Sequence, residues 1–190
     1  MAGGPADLVL EVAAYDDPDS IRFVEEVQAF YVERYGGVDR TPVDPAEFAP
    51  PRGLFLVGRL PGAGAVCCGG WRRHTPDSIA APDRHVLRPR DAEVKRMWVT
   101  PAHRRRGIAG ALLAELERSA EVAGCRRTVL ETGDQQPEAI AFYRAAGYGV
   151  IPRFGVYRGE AGNLCLARAL TTTSATSPPS PPARRDGPLA

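Results

Sequence analysis

Near position 107 the chain changes its repeat, and this junction limits the possible folds more than any other part of the sequence. Ala92 to Val99 reads as a strand and Thr100 to His103 as a turn. From Gly107 to Gly124, Ile108, Leu112, Leu113 and Leu116 recur at helical spacing, and Gly124 supplies the stop. The connecting residues are Arg104-Arg105-Arg106-Gly107-Ile108-Ala109. The first N–H groups of a helix have no partner inside it, and its macrodipole is positive there, so this end attracts phosphate. Gly107 puts no Cβ in the way, and Ala109 and Gly110 are small. The arginines add charge for a multiply anionic ligand. The same residues also fit a solvated basic turn, because arginine is common throughout and Lys95 is the only lysine. Neither Gly-Lys-Ser/Thr nor Gly-x-Gly-x-x-Gly occurs at the junction, which points away from ATP and NAD.

The rest of the chain supplies layers around this junction. Leu8–Val12 reads as a first strand, and Asp19 or Ser20 as the cap of a helix over Ile21–Tyr35. Phe23, Val24, Val27, Phe30 and Tyr31 form its apolar face, and Gly36-Gly37 ends it. Residues 38–53 read as a proline-rich loop. Leu54–Arg59 and Ala65–Trp71 form a hairpin around Pro61–Gly64, and residues 72–91 form a long polar loop. Thr128–Glu131 is a strand, Pro137 opens a helix running to about Ala146, and Tyr148–Ile151 and Asn163–Leu170 are the last strands. This order predicts a mixed sheet with helices packed on it, of the α/β (α+β) class, in one domain over residues 1–170. Residues 171–190 are rich in Ser, Thr and Pro and are expected to be disordered.

Charge excludes some functions. The formal net charge is +1, which gives no support for nucleic-acid binding. Cys67, Cys68, Cys125 and Cys165 fit no zinc spacing, nor do His74, His85 and His103, so no metal is expected. Buried thiols in a reducing compartment are the reading for the cysteines. No signal peptide and no membrane-spanning stretch is visible, which gives the expectation of a soluble cytoplasmic protein.

The junction motif resembles the Gln/Arg-x-x-Gly-x-Gly/Ala signature of the GCN5-related N-acetyltransferase (GNAT) family. Glu93-Val94-Lys95-Arg96-Met97-Trp98-Val99 looks like that family's central strand. Gln136-Pro137-Glu138-Ala139-Ile140-Ala141-Phe142-Tyr143, continuing to Gly147-Tyr148, resembles its Asn-x-x-Ala-x-x-Phe-Tyr-x-x-x-Gly-Phe segment. The resemblance is good over residues 54–170 and extends to 8–53 by element order only. It implies a mostly antiparallel sheet of six to seven strands and acetyl-CoA as co-substrate. It further implies an amine acceptor, small molecule or peptide, and admits a homodimer.

The same resemblance implies site residues. Met97, Trp98 and Val99 would offer main-chain contacts to the acyl arm, with the Val99 N–H aimed at a developing oxyanion. Arg104, Arg105, Arg106, Gly107, Ile108, Ala109 and Gly110 would hold the pyrophosphate. Gln136 stands where many members have Asn, which puts its contact in doubt. Tyr143 is the expected general acid for the departing thiolate. Glu93 lies eleven residues before Arg104, where some members place a general base. Strand alternation would put Glu93, Lys95, Met97 and Val99 on one face, so Glu93 also fits an ion pair with Lys95. The leading reading is direct acetyl transfer in a ternary complex; the rival is a non-catalytic acyl-CoA-binding module of the same fold.

Overall fold

The computed structural model describes residues 5–170. The expected disordered tail, 171–190, lies outside the described residues. Strand β1 (Val9–Val12) leads to helix α1 (Pro18–Tyr35), followed by the β2–β3 hairpin (Gly53–Leu60 and Gly64–Arg73). Then come β4 (Asp91–Val99), α2 (Ile108–Val122), β5 (Arg127–Gly133), α3 (Pro137–Ala145), β6 (Gly149–Ile151) and β7 (Asn163–Ala169). They build one seven-stranded sheet in the order β1-β2-β3-β4-β5-β7-β6. Only β4 and β5 run parallel; the other pairings are antiparallel.

Helix α1 starts earlier than its apolar period suggests. Asp17 caps it by accepting from Asp19 N at 3.0 Å, and Pro18 takes the first turn, where no N–H is needed. Gly36, at φ 76°, closes it in the left-handed region. Helix α2 buries Ile108, Leu112, Leu113 and Leu116 against Leu56, Val66, Trp71, Ala92 and Val94 of the sheet. Each such side chain contributes about 1.5–3 kcal/mol by leaving water. Phe142 and Tyr143 of α3 pack on this same core, so α2 and α3 share a face. Helix α1 covers the other face, where Phe23 packs with Phe55, Val57, Cys68 and Trp98.

Two irregularities in the central strand shape the site. The β4–β5 ladder runs only from Asp91–Arg127 to Glu93–Val129, so beyond Glu93 the parallel strands part and leave a gap. Between the Gly70–Lys95 and Cys68–Trp98 pairs, β4 carries one more residue than β3. Arg96 absorbs the surplus at φ 58°, as a β-bulge. The bulge overturns the simple alternation expected for β4. Glu93 and Lys95 lie on the α1 face, whereas Met97 and Val99 pack with α2 and α3.

Candidate functional site

The gap between β4 and β5 is the centre of the site. Thr100 N donates to Val66 O at 2.9 Å. In an antiparallel ladder the neighbouring residue then turns its N–H and C=O away from the partner strand. Val99 therefore points its N–H and C=O away from β3, toward the gap. Its carbonyl accepts from Arg104 Nε at 3.0 Å, and the Arg104 guanidinium stacks over Trp98 at 4.6 Å from the ring centroid. Trp98 is itself fixed to α1, donating from Nε1 to Glu26 Oε2 at 2.8 Å.

At the end of the gap stands the start of α2. Its N-cap is Gly107 at φ 79°, with no side-chain cap and no acidic residue in the first turn. Arg105 is also left-handed, at φ 60°. A non-glycine residue pays strain there, and such turns cluster at ligand sites. The N–H groups of Ile108, Ala109 and Gly110 find no acceptor among the described residues. Arg104, Arg105 and Arg106 are exposed around this helix start. Open backbone donors, small residues and a surplus of positive charge fit a pyrophosphate group.

Tyr143 reaches the gap from the α3 side. Its hydroxyl donates to Met97 Sδ at 3.6 Å. Burial, and then Tyr31 of α1, push its pKa above the usual phenol value. The contact with Met97 puts the hydroxyl beside the freed stretch of β4. It stays protonated at neutral pH. Tyr35 of α1 accepts from Gln136 Nε2 at 2.9 Å. Gln136 is thus held against α1 by its amide.

Glu93 and Glu131 occupy the α1 face of the gap and differ in character. Glu93 is 2% exposed and lies 2.8 Å from Lys95 Nζ, 2.8 Å from Arg72 Nε and 3.2 Å from His74 Nε2. Burial alone would raise its pKa, but Lys95, His74 and Arg72 together hold it well below the usual carboxylate range. Glu131 shares the same Lys95, at 3.2 Å, and accepts from Asn163 Nδ2 at 3.2 Å. For Glu131 burial dominates and the charge of Glu93 adds to it, so its pKa is raised despite Lys95. The sequence places Glu131 only at the end of a strand. Its side chain reaches Lys95 and Glu93 from another strand, so no local pattern marks it.

The triad of Glu93, Lys95 and Arg72 is a structural cluster as well. Taking away one member of a buried ion pair costs about 3–5 kcal/mol, because its partners lose their compensation. Glu93→Gln is therefore expected to lower unfolding free energy by that order in urea titrations at neutral pH; a loss below about 1 kcal/mol would rule out the structural role. The wild-type contribution is complete above the unfolded carboxylate value, about 4.3, and disappears as pH falls through the lower folded value.

Both faces being defined, the relatives become informative. The model of the acetyltransferase (GNAT) family matches residues 24–148. The chain belongs to this family. An IAA acetyltransferase of Azospirillum brasilense is 30% identical over 150 residues, covering 79% of this chain and 90% of that protein. A Klebsiella pneumoniae structure assigned as an acyl-CoA N-acyltransferase aligns with TM-score 0.67 and 25% identity over 88% of this chain and 100% of its own. The GNAT domain of S. lividans PAT shares the fold, with TM-score 0.62 and 23% identity over 85% of this chain and 89% of its own. The seven-stranded mixed sheet with three helices is the GNAT acyl-CoA N-acyltransferase fold. Among the described residues, no helix of this GNAT protein is long and apolar enough to cross a membrane.

A cavity of about 320 Å³ opens on the α1 face and reaches Glu93 and Glu131. Thr41 and Pro42 line one side, His74, Ser78, Asp83 and Leu87 another, and Phe154, Gly155, Val156 and Arg158 a third. Both long loops of this GNAT chain, 38–53 and 72–91, thus contribute walls. A strap joins two of the walls: Tyr157 Oη donates to Asp39 Oδ1 at 2.9 Å, and Arg40 pairs with Glu160 at 2.5 Å.

Proposed function

We propose that this GNAT protein transfers the acetyl group of acetyl-CoA directly to a primary amine, within a ternary complex. The observation that carries the reading is the gap itself. It has the open N-terminus of α2 at one end, the Tyr143 hydroxyl against Met97 of its β4 edge, and a cavity on its far face. Arg105 to Gly110 and the exposed arginines would hold the pyrophosphate, and the freed edge of β4 from Met97 to Val99 would hold the acyl arm. Bound there, acetyl-CoA supplies an activated thioester carbonyl.

The residues divide the remaining work. The Val99 N–H faces the gap and would meet negative charge developing on the carbonyl oxygen; one such donor is worth roughly 100- to 1,000-fold in rate. Tyr143, kept protonated by burial, donates its hydroxyl proton to the departing sulfur. Glu131 is better suited than Glu93 to take the proton of the attacking ammonium. A base held far below its usual pKa gains little by accepting a proton, whereas a raised one is closer to neutrality. Glu93 instead holds Lys95 beside Glu131.

No residue is needed to carry the acetyl group. Burial pushes Cys67 up to about 12 and Cys165 up to about 11, and raises Cys68 and Cys125 as well. None of the four is a thiolate at neutral pH, so none is a ready nucleophile.

The reading is tested by free-thiol release from acetyl-CoA with a panel of primary amines. Amine-dependent release is expected. Tight CoA binding with no release by any amine would instead indicate an acyl-CoA-binding module. In the pH profile, kcat should fall toward acid with a midpoint above the ordinary carboxylate value of about 4.3. Glu131→Gln should remove that limb, and an unchanged profile would reject Glu131 as the base.

A further inference from the structure

The cavity beneath the β4–β5 gap contains polar atoms that the fold leaves unmatched. Asp83 is 4% exposed, Thr41 8% and His74 8%. Asp83 Oδ1 and Thr41 Oγ1 nonetheless have no hydrogen-bond partner, whereas His74 Nε2 faces a Glu93 oxygen at 3.2 Å. All three residues line the cavity. Burying a polar group without a partner is unfavourable, and two in one cavity mark a place built to be filled.

Their chemistry is selective. The cations of the cavity are largely matched already. Lys95 is shared between Glu93 and Glu131, and Arg72 is held by Glu93, Glu47 and the Pro42 carbonyl. Arg158 donates to Gly155 O at 3.0 Å and keeps 46% of its side chain in solvent, 4.0 Å from Asp83. What remains is the Asp83 carboxylate, whose Oδ1 has only the loose 4.0 Å ion pair with half-exposed Arg158, accompanied by the Thr41 hydroxyl. That set asks for a donor-rich cation.

Gly155 fixes where this cation would lie relative to the gap. Its N–H donates to Asp83 Oδ2 at 3.2 Å. A Cβ on it would stand 3.0 Å from Glu131 Oε1. At φ 76° the position also favours glycine. One glycine therefore separates two carboxylates: Glu131 next to the gap, and Asp83 deeper among the 75–90 loop residues.

We propose that the cavity is an acceptor subsite for a small dicationic amine. Its reacting nitrogen lies beside Glu131, and its second ammonium binds Asp83 with help from Thr41. This rests on the acetyltransferase reading above and adds the class of acceptor. A volume of about 320 Å³ suits a short flexible chain rather than a folded peptide or large sugar.

Three four-carbon acceptors separate the possibilities: putrescine with two amines, n-butylamine with one, and γ-aminobutyrate with a carboxylate at the far end. Wild-type kcat/KM is expected to be at least about tenfold higher for putrescine than for n-butylamine, with γ-aminobutyrate the poorest. Asp83→Asn keeps an acceptor for Gly155 N–H and removes the charge. It should raise the KM of putrescine about tenfold at unchanged kcat, leave n-butylamine unaltered, and bring the ratio of the two near one. A wild-type ratio near one, a preference for γ-aminobutyrate, or a ratio insensitive to Asp83→Asn would overturn the proposal. If the variant does not fold, the wild-type ranking alone decides. Release of thiol by n-butylamine without any putrescine preference defeats only this inference. Release by no amine at all defeats the acetyltransferase reading itself.

Discussion

Ala109→Glu is expected to abolish coenzyme A binding while leaving the protein slightly more stable. The two effects have opposite signs for one physical reason. Ala109 is in the first turn of α2, which carries no acidic residue. A carboxylate there complements the macrodipole and the orphan N–H groups, which is worth about 0.3–1 kcal/mol to the helix. The same N–H groups are what a pyrophosphate would use. Two unit charges 4 Å apart repel by about 4 kcal/mol at the effective dielectric of a protein surface, so affinity should fall by at least about 100-fold. Calorimetric titration with CoA reads the loss, and a thermal melt without ligand reads the gain. Unchanged affinity would reject the α2 N-terminus as the phosphate site. Lost affinity with a lowered melting temperature would mean that the variant is misfolded and that Gly110→Ala, a milder probe of the same turn, should replace it.

Tyr143→Phe is expected to lower kcat by about 100- to 10,000-fold, the range for removing a positioned general acid. Coenzyme A affinity should change little, because the ring keeps its packing against Phe142 and Tyr148 and only the hydroxyl goes. That hydroxyl meets a thioether sulfur rather than a strong acceptor, so its loss leaves no buried charge uncompensated. Stability should thus remain within about 1 kcal/mol. Equal losses in kcat and in CoA affinity would show Tyr143 to be a packing residue. An unaltered rate would move the general-acid role elsewhere.

Much of this architecture is legible in the sequence because its signals are local. The apolar period of α2, the Gly107 and Gly124 at its ends and the Pro61–Gly64 turn each place an element within a residue or two. The Lys95–Glu93 pair follows from alternation over two residues. Alternation then fails at Arg96, since arginine has no special preference for a left-handed φ and nothing nearby announces a bulge. The start of α1 was displaced because Asp17-Pro18 caps a helix whose apolar face begins later. The insertion of β7 between β5 and β6 is a long-range choice that the chain order conceals.

The candidate site was legible around the start of α2 and not around the cavity, for the same reason. The α2 motif and Tyr143 lie in contiguous segments with family patterns. The cavity instead draws Thr41, Asp83, Glu131 and Gly155 from four separate stretches, and no one of them carries a pattern of its own. The departure at Gln136 also has a visible consequence: its amide is engaged by Tyr35 of α1.

The central claim is direct transfer of an acetyl group from acetyl-CoA to an amine nitrogen at the β4–β5 gap. Following a radiolabelled acetyl group through a quenched turnover with putrescine tests it most directly. The label should leave acetyl-CoA and arrive in an amide of the amine, one for each thiol released, with none retained on the protein. Label trapped on a cysteine or another side chain, or released as acetate regardless of the amine, would contradict the account.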